Sequence, residues 1–251
     1  MKNILKAVPS FLTSIGLLSG CISIFMSVSQ GELLPAGYFI LIAAAFDFLD
    51  GMAARLIKNI TEFGKQLDSL ADVVSFGVAP AMILFRLFVL SASNDLNNAE
   101  TIVMSNSAYP FIAFASFLVA VFSALRLAKF NIDPSQSKNF KGLATPANAI
   151  FIASLGFIIA DNRSTFPSEH LILNPVFLLV ITLLSCYLLV CNISMFSLKF
   201  SSAGIKKNTV RYVFLILTVL FLILFGIQGL APAIVAYILL SITNNAVIGM
   251  E

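Results

Sequence analysis

Residues 46–80 read FDFLDGMAARLIKNITEFGKQLDSLADVVSFGVAP. An apolar run leads into this segment and another leaves it, with a short basic stretch (Arg55, Lys58, Lys65) between. Asp47 and Asp50 are three apart and Asp68 and Asp72 four apart, so each pair shares one face of a helix. Both pairs fall near the ends of successive helices joined by a short loop, which requires the four carboxylates to converge. Four carboxylates in a partly desolvated pocket repel one another, and divalent cations remove that conflict. Oxygen-only ligands with no His or Cys nearby favour Mg²⁺ or Mn²⁺ over zinc, and such ions commonly bridge substrate phosphates. Gly51 leaves room for a ligand to approach the backbone, and Arg55, one turn on, offers a planar fork to phosphate.

The rest of the chain is apolar in the same manner. Of 251 residues, 59% are hydrophobic and 11% charged, with a mean hydropathy of +0.98. A soluble domain carries about 25% charged residues. The fold expected is therefore all-α, a polytopic transmembrane bundle of about eight helices near 11–29, 35–57, 67–92, 109–130, 146–160, 175–195, 212–227 and 229–247. Gly226-Ile227-Gln228-Gly229 leaves room only for a tight turn between the last two, a helical hairpin. Leu18-Ser19-Gly20-Cys21 resembles a lipoprotein cleavage box, but the apolar run continues through Cys21 to about Val28, long enough to span. Cys21, Cys186 and Cys191 all lie in apolar runs and read as small core residues, and the lone His170 is given no role.

Basic residues sort to one side of the membrane. Lys2, Lys6, Arg55, Lys58, Lys65, Arg126, Lys129, Lys138, Lys141, Lys199, Lys206, Lys207 and Arg211 fall in segments on one face, whereas the opposite loops carry Arg163 among Glu32, Asp95, Glu100, Asp161 and Glu169. By the positive-inside rule both termini and the aspartates are cytoplasmic in an inner or cell membrane. Arg86 lies about 21 Å along a helix from Asp72, too far to share its site, and reads as a snorkelling residue at the outer end. A metal-ion transporter is the competing class, but transport sites sit near the bilayer midplane on broken helices, whereas these carboxylates sit at helix ends.

The order Asp47-x-x-Asp50-Gly51-x-x-Ala54-Arg55, then Gly64-x-x-x-Asp68-x-x-x-Asp72, resembles the signature of the CDP-alcohol phosphotransferase family at every fixed position. The stretch Ser69–Pro80, Leu125-Arg126-Leu127-Ala128-Lys129-Phe130-Asn131 and Phe140–Ala147 are similar to membrane-embedded bacterial phosphatidylserine synthases. The resemblance covers residues 8–150 and extends to Val8–Thr13. It implies a six-helix catalytic core within residues 1–200, followed by a C-terminal hairpin in 201–251. It implies two Mg²⁺ or Mn²⁺ ions on Asp47, Asp50, Asp68 and Asp72, with Asp72 the proton acceptor. It also implies CDP-lipid contacts at Ser10, Thr13, Gly51, Arg55, Thr61 and Gly64. Arg126 and Lys129 become candidates for the serine carboxylate or the lipid phosphate. CDP-diacylglycerol and L-serine are the implied substrates, within membrane lipid and without nucleic acid, and a homodimer is the implied assembly. Other acceptors, such as glycerol 3-phosphate or an inositol phosphate, remain alternatives, and a phosphorylated one would call on Lys138 and Lys141. Ser10, Gly16 and Ala144 depart from the family, where Asn, Asn and Pro are common.

Overall fold

The computed structural model describes residues 2–30, 32–57, 61–92, 109–132, 140–160, 169–196 and 208–248. Lys58, Asp95, Glu100, Lys138, Asp161, Arg163, Lys199, Lys206 and Lys207 lie outside them. The helices are α1 (Lys2–Phe25), α2 (Leu33–Ile57), α3 (Glu62–Val73), α4 (Ala79–Ala92), α5 (Tyr109–Ala113), α6 (Leu118–Ile132), α7 (Thr145–Ala160), α8 (Glu169–Ile172), α9 (Pro175–Val190), α10 (Thr209–Phe225) and α11 (Leu230–Ile248). Each of the eight expected spans contains a helix, but the sixth, expected over 175–195, stops at Val190, and residues 191–195 leave it as irregular chain and a short strand. The third is α3 and α4 joined by a wide π-helical turn, Val74–Val78, and the fourth is α5 and α6 joined by a tight turn, Phe114–Phe117. His170 sits in the short α8 rather than a loop.

Among the described residues, five stretches are long and apolar enough to cross a membrane, at 7–28, 33–57, 62–92, 111–132 and 209–245, with α7 and α9 as shorter apolar helices. The protein is a multi-pass membrane protein. The last stretch is broken where Gly226 takes φ 58°, which lets α10 fold back on α11. Rings of Phe196, Phe214 and Tyr237 meet across that pair at 4.8–5.9 Å between centroids. Outward-facing Phe11, Phe111, Val176 and Ile223 are 66–78% exposed, as suits a lipid-facing surface.

Helix ends follow their local chemistry. Thr61 caps α3, its hydroxyl accepting from the Gly64 N–H at 3.0 Å. Asn174 caps α9, accepting from Val176 and Phe177, ahead of which Pro175 opens the helix. Inside the bundle, helices meet through small residues. Gly20 of α1 lies against Ser75, and Gly37 of α2 lies under the Phe157 ring of α7. The Ser23 hydroxyl donates to Ala36 O at 2.7 Å, tying α1 to α2. The main core gathers Ile40, Phe76, Ile83, Leu84, Leu87, Ile152 and Phe157 at its centre. Cys186 and Cys191 are buried as expected, whereas Cys21 is exposed on the outer face.

Among the described residues, one small sheet interrupts the helices. Strands β1 (Phe140–Lys141) and β2 (Ser194–Met195) pair antiparallel, Phe140 opposite Met195. The segment 191–196 is tied down from several sides. Its Ile193 O accepts from Gly142 N at 2.8 Å, its Asn192 accepts from Lys129 at 3.2 Å, and its Phe196 O accepts from the Tyr237 hydroxyl at 3.0 Å. The Asn245 amide also donates to Ser194 O. Gly142 sits at φ 74° with carbonyls of Leu188, Leu189 and Cys191 crowded around it, a place for glycine alone.

Candidate metal and phosphate centre

The aspartates are set by two helix ends. Asp47 and Asp50 lie within the last three turns of α2, and Asp68 and Asp72 lie within α3, with only residues 58–61 between the two helices. Ligand oxygens of Asp47, Asp50 and Asp68 all lie within 4.8 Å of one another. Asp72 joins the other three in lining a crevice of about 10 Å³, closed by Ala71, Ser75 and Phe76. That is the space of a single water-sized sphere, suited to an ion and too small for an organic group. The four charges are close enough to act on one another. Three convergent carboxylates with no soft ligand fit a hard divalent cation. Asp50, buried at 5% exposure, is fixed by the Thr13 hydroxyl, which donates to Oδ2 at 2.6 Å.

A larger cleft of about 220 Å³ adjoins this crevice. Ser10, Thr13, Gly51, Arg55, Thr61 and Gly64 all line it, so one opening gathers the six residues expected at the nucleotide. Asp50 and Asp68 form its wall towards the carboxylates. The space over Gly51 is open, with no atom within 4 Å of where a Cβ would stand. The Arg55 Nε donates to Gly51 O at 2.8 Å, which leaves the far end of its fork for an anion. Two of the lining threonines also have structural roles, since Thr13 holds Asp50 and Thr61 caps α3. Lys65, Ala54 and Pro9 line the cleft as well, and the sequence reading assigned them no part in the site. Lys65 follows Gly64 directly and was legible as a cation beside the cap.

Arg126 and Lys129 part company. Arg126 is buried at 9% exposure, close enough to Asp72 for their charges to interact, and its Nε has no hydrogen-bond partner among the described residues. Lys129 is exposed and turns to Asn192. Neither lines the cleft. Asn131, at the end of the same segment, donates to the Ser69 hydroxyl at 2.8 Å and links α6 to α3. Arg86 is half-buried with its Nε enclosed, so it does not snorkel fully free of the bundle.

Helical carboxylate pairs on adjoining chain segments thus set an ion-sized crevice against a larger cleft. The chain belongs to the CDP-alcohol phosphatidyltransferase family, whose sequence pattern matches residues 6–191. Among its relatives is the archaetidylserine synthase of Methanothermobacter thermautotrophicus, 37% identical over 150 residues, 59% of this chain and 57% of that one. The CDP-diacylglycerol--serine O-phosphatidyltransferase of Helicobacter pylori is 32% identical over 188 residues, 73% of this chain and 71% of that one. The protein of the same name from Bacillus subtilis is 30% identical over 151 residues, 60% of this chain and 75% of that one. The chain thus spans little more than half of the first relative and about three quarters of the last.

Proposed function

We propose that this protein transfers a phosphatidyl group from CDP-diacylglycerol to the hydroxyl of L-serine, giving phosphatidylserine and CMP. The observation that carries the reading is one cleft, lined by Ser10, Thr13, Gly51, Arg55, Thr61 and Gly64 and walled by Asp50 and Asp68, whose oxygens lie within 4.8 Å of Asp47's. The printed names of the relatives support serine as the acceptor. The distribution of basic residues supports a site on the cytoplasmic side, and the family resemblance supports a homodimer.

In this reading Asp47, Asp50 and Asp68 hold one divalent ion, Mg²⁺ or Mn²⁺, and Asp47, Asp68 and Asp72 hold a second. When bound, such ions neutralise the diphosphate and stabilise CMP as it leaves. Arg55 and the open backbone at Gly51 receive the nucleotide side of the donor. Asp72 takes the proton from the serine hydroxyl as its oxygen bonds to the lipid-side phosphorus and the bond to CMP breaks. Arg126 faces the serine carboxylate, and Lys129, held by Asn192, serves the membrane surface rather than the reaction.

The test is purified protein with CDP-diacylglycerol, Mn²⁺ and each labelled alcohol in turn. Phosphatidylserine and equimolar CMP from serine are expected. Lipid product from glycerol 3-phosphate with none from serine overturns the acceptor. Metal uptake into proteoliposomes with no CMP release overturns the class.

A further inference from the structure

Among the described residues, four polar side chains on the two helices that flank the turn after Asp72 have polar atoms left without a hydrogen-bond partner: Ser123 Oγ, Arg126 Nε, Thr145 Oγ1, and both Oδ1 and Nδ2 of Asn148. All four are at least nine-tenths buried, with exposures of 0, 9, 1 and 0%. An amide with both ends buried and unpaired is costly, and native structures nearly always pair such groups with protein, water or ligand. They sit on α6 and α7, and neither helix contributes to the cleft that receives the nucleotide.

Helix geometry puts Asn148 and Arg126 near the depth of the aspartates, with Ser123 one to two turns deeper in the bundle. Gly37 of α2 meets the Phe157 ring of α7, and these helices run in opposite directions through the bundle. Asp47 is ten residues further along α2 and Asn148 nine residues back along α7, about 15 and 14 Å from that contact at 1.5 Å per residue. On the other flank, the Ser123 Cβ stands 3.1 Å from where a Cβ on Gly77 would be. Asp72 lies about 7.5 Å back from Gly77 and Arg126 about 4.5 Å on from Ser123. Both α6 and α7 pack against the wide turn Val74–Val78 that follows Asp72. The nucleotide cleft and these buried polar groups therefore lie on different helices, the latter flanking the turn that follows Asp72.

We propose that Asn148, with Thr145 and Ser123, is a specificity-determining part of an acceptor subsite that recognises a small zwitterion beside Arg126. Its amide offers a donor to a carboxylate and an acceptor to an ammonium, and the two hydroxyls can serve either. The set holds one cation and three neutral groups. That suits a free amino acid, whose net charge is zero, and is poor for a phosphorylated alcohol, which needs several cations. The inference deepens the serine reading above and rests on it.

Steady-state CMP release from full-length protein tests it, with serine and CDP-diacylglycerol varied separately. Asn148→Leu keeps the branched heavy-atom outline and removes both hydrogen-bonding ends. It should raise the KM for serine about tenfold or more, as loss of a hydrogen bond to a charged group does, while the donor KM stays within about twofold of wild type. Thr145→Val, which removes only a hydroxyl, should shift the serine KM the same way. An unchanged serine KM, or equal losses towards both substrates, in a monodisperse variant overturns the subsite. Should Asn148→Leu fail to fold, a wild-type serine KM in Thr145→Val overturns it. No serine-dependent CMP from the wild-type protein refutes the activity itself, which is seen without any variant.

Discussion

Replacing Thr13 by valine keeps the shape of the side chain and deletes its hydroxyl. That hydroxyl has one hydrogen and two acceptors in reach, Asp50 Oδ2 at 2.6 Å and Pro9 O at 3.0 Å. The shorter contact is to the carboxylate, which is buried and draws the proton. A hydrogen bond to a charged group is worth about 1.5–3 kcal/mol, or roughly 10- to 150-fold in an equilibrium constant. Without it Asp50 loses the side-chain partner that holds it beside Asp47 and Asp68. Losing such an outer partner of a metal ligand typically costs about 10- to 100-fold in metal affinity or activity. Thr13→Val should therefore raise the Mn²⁺ concentration for half-maximal CMP release by about 10- to 100-fold, with the helical content unchanged by circular dichroism. Thr13→Ser, which restores the hydroxyl, should return most of the loss. A Thr13→Val protein with wild-type metal dependence would refute the claim that Thr13 fixes a metal ligand.

Three further outcomes are expected. Gly51→Ala adds a methyl into open space, so thermal stability should hold or rise, alanine being about 1 kcal/mol better in a helix; the donor KM should rise about tenfold or more, and an unchanged KM would show that the donor lies elsewhere. Gly20→Ala would bring a Cβ to 2.8 Å from the Ser75 Cα, an overpacking worth about 1–3 kcal/mol, and a melting temperature equal to wild type would disprove that close approach. Asp72→Asn should still bind CDP-diacylglycerol while turnover falls about 10²- to 10⁴-fold, as for a lost general base; near-normal turnover would remove Asp72 from the proton-transfer role.

What could be read in the sequence had a period or a fixed spacing. The eight spans follow from apolar length, and Asp47 with Asp50, like Asp68 with Asp72, follows from the pitch of a helix. Their convergence followed from a short loop, which allows neighbours no distance to separate. Contacts between distant segments had no such signal. Nothing in the spacing shows that Thr13 faces Asp50, since the two are on different helices and each also suits a lone role. The wide turn at Val74–Val78 is written in residues that suit an α-helix equally well, and it forms where Gly20 and Gly77 let α1 and α6 come close. Asn148 reads as an ordinary polar residue near a helix start; only its enclosure by neighbours gives it meaning. Lys129 reads like Arg126, and it is the position of Asn192 that separates them.

The ties on residues 191–196 set an order of events during synthesis. Asn192 and Ile193 are held by residues already made, Lys129 and Gly142, whereas Phe196 and Ser194 wait for Tyr237 and Asn245. Those two emerge about 40 to 50 residues later, roughly 2–10 s at ordinary elongation rates of ~5–20 residues per second. In that interval the strand that pairs with Phe140–Lys141, just ahead of α7, is fastened on one side only. Helix α11 is thus the element that finishes fastening this strand, long after its partner strand has been made.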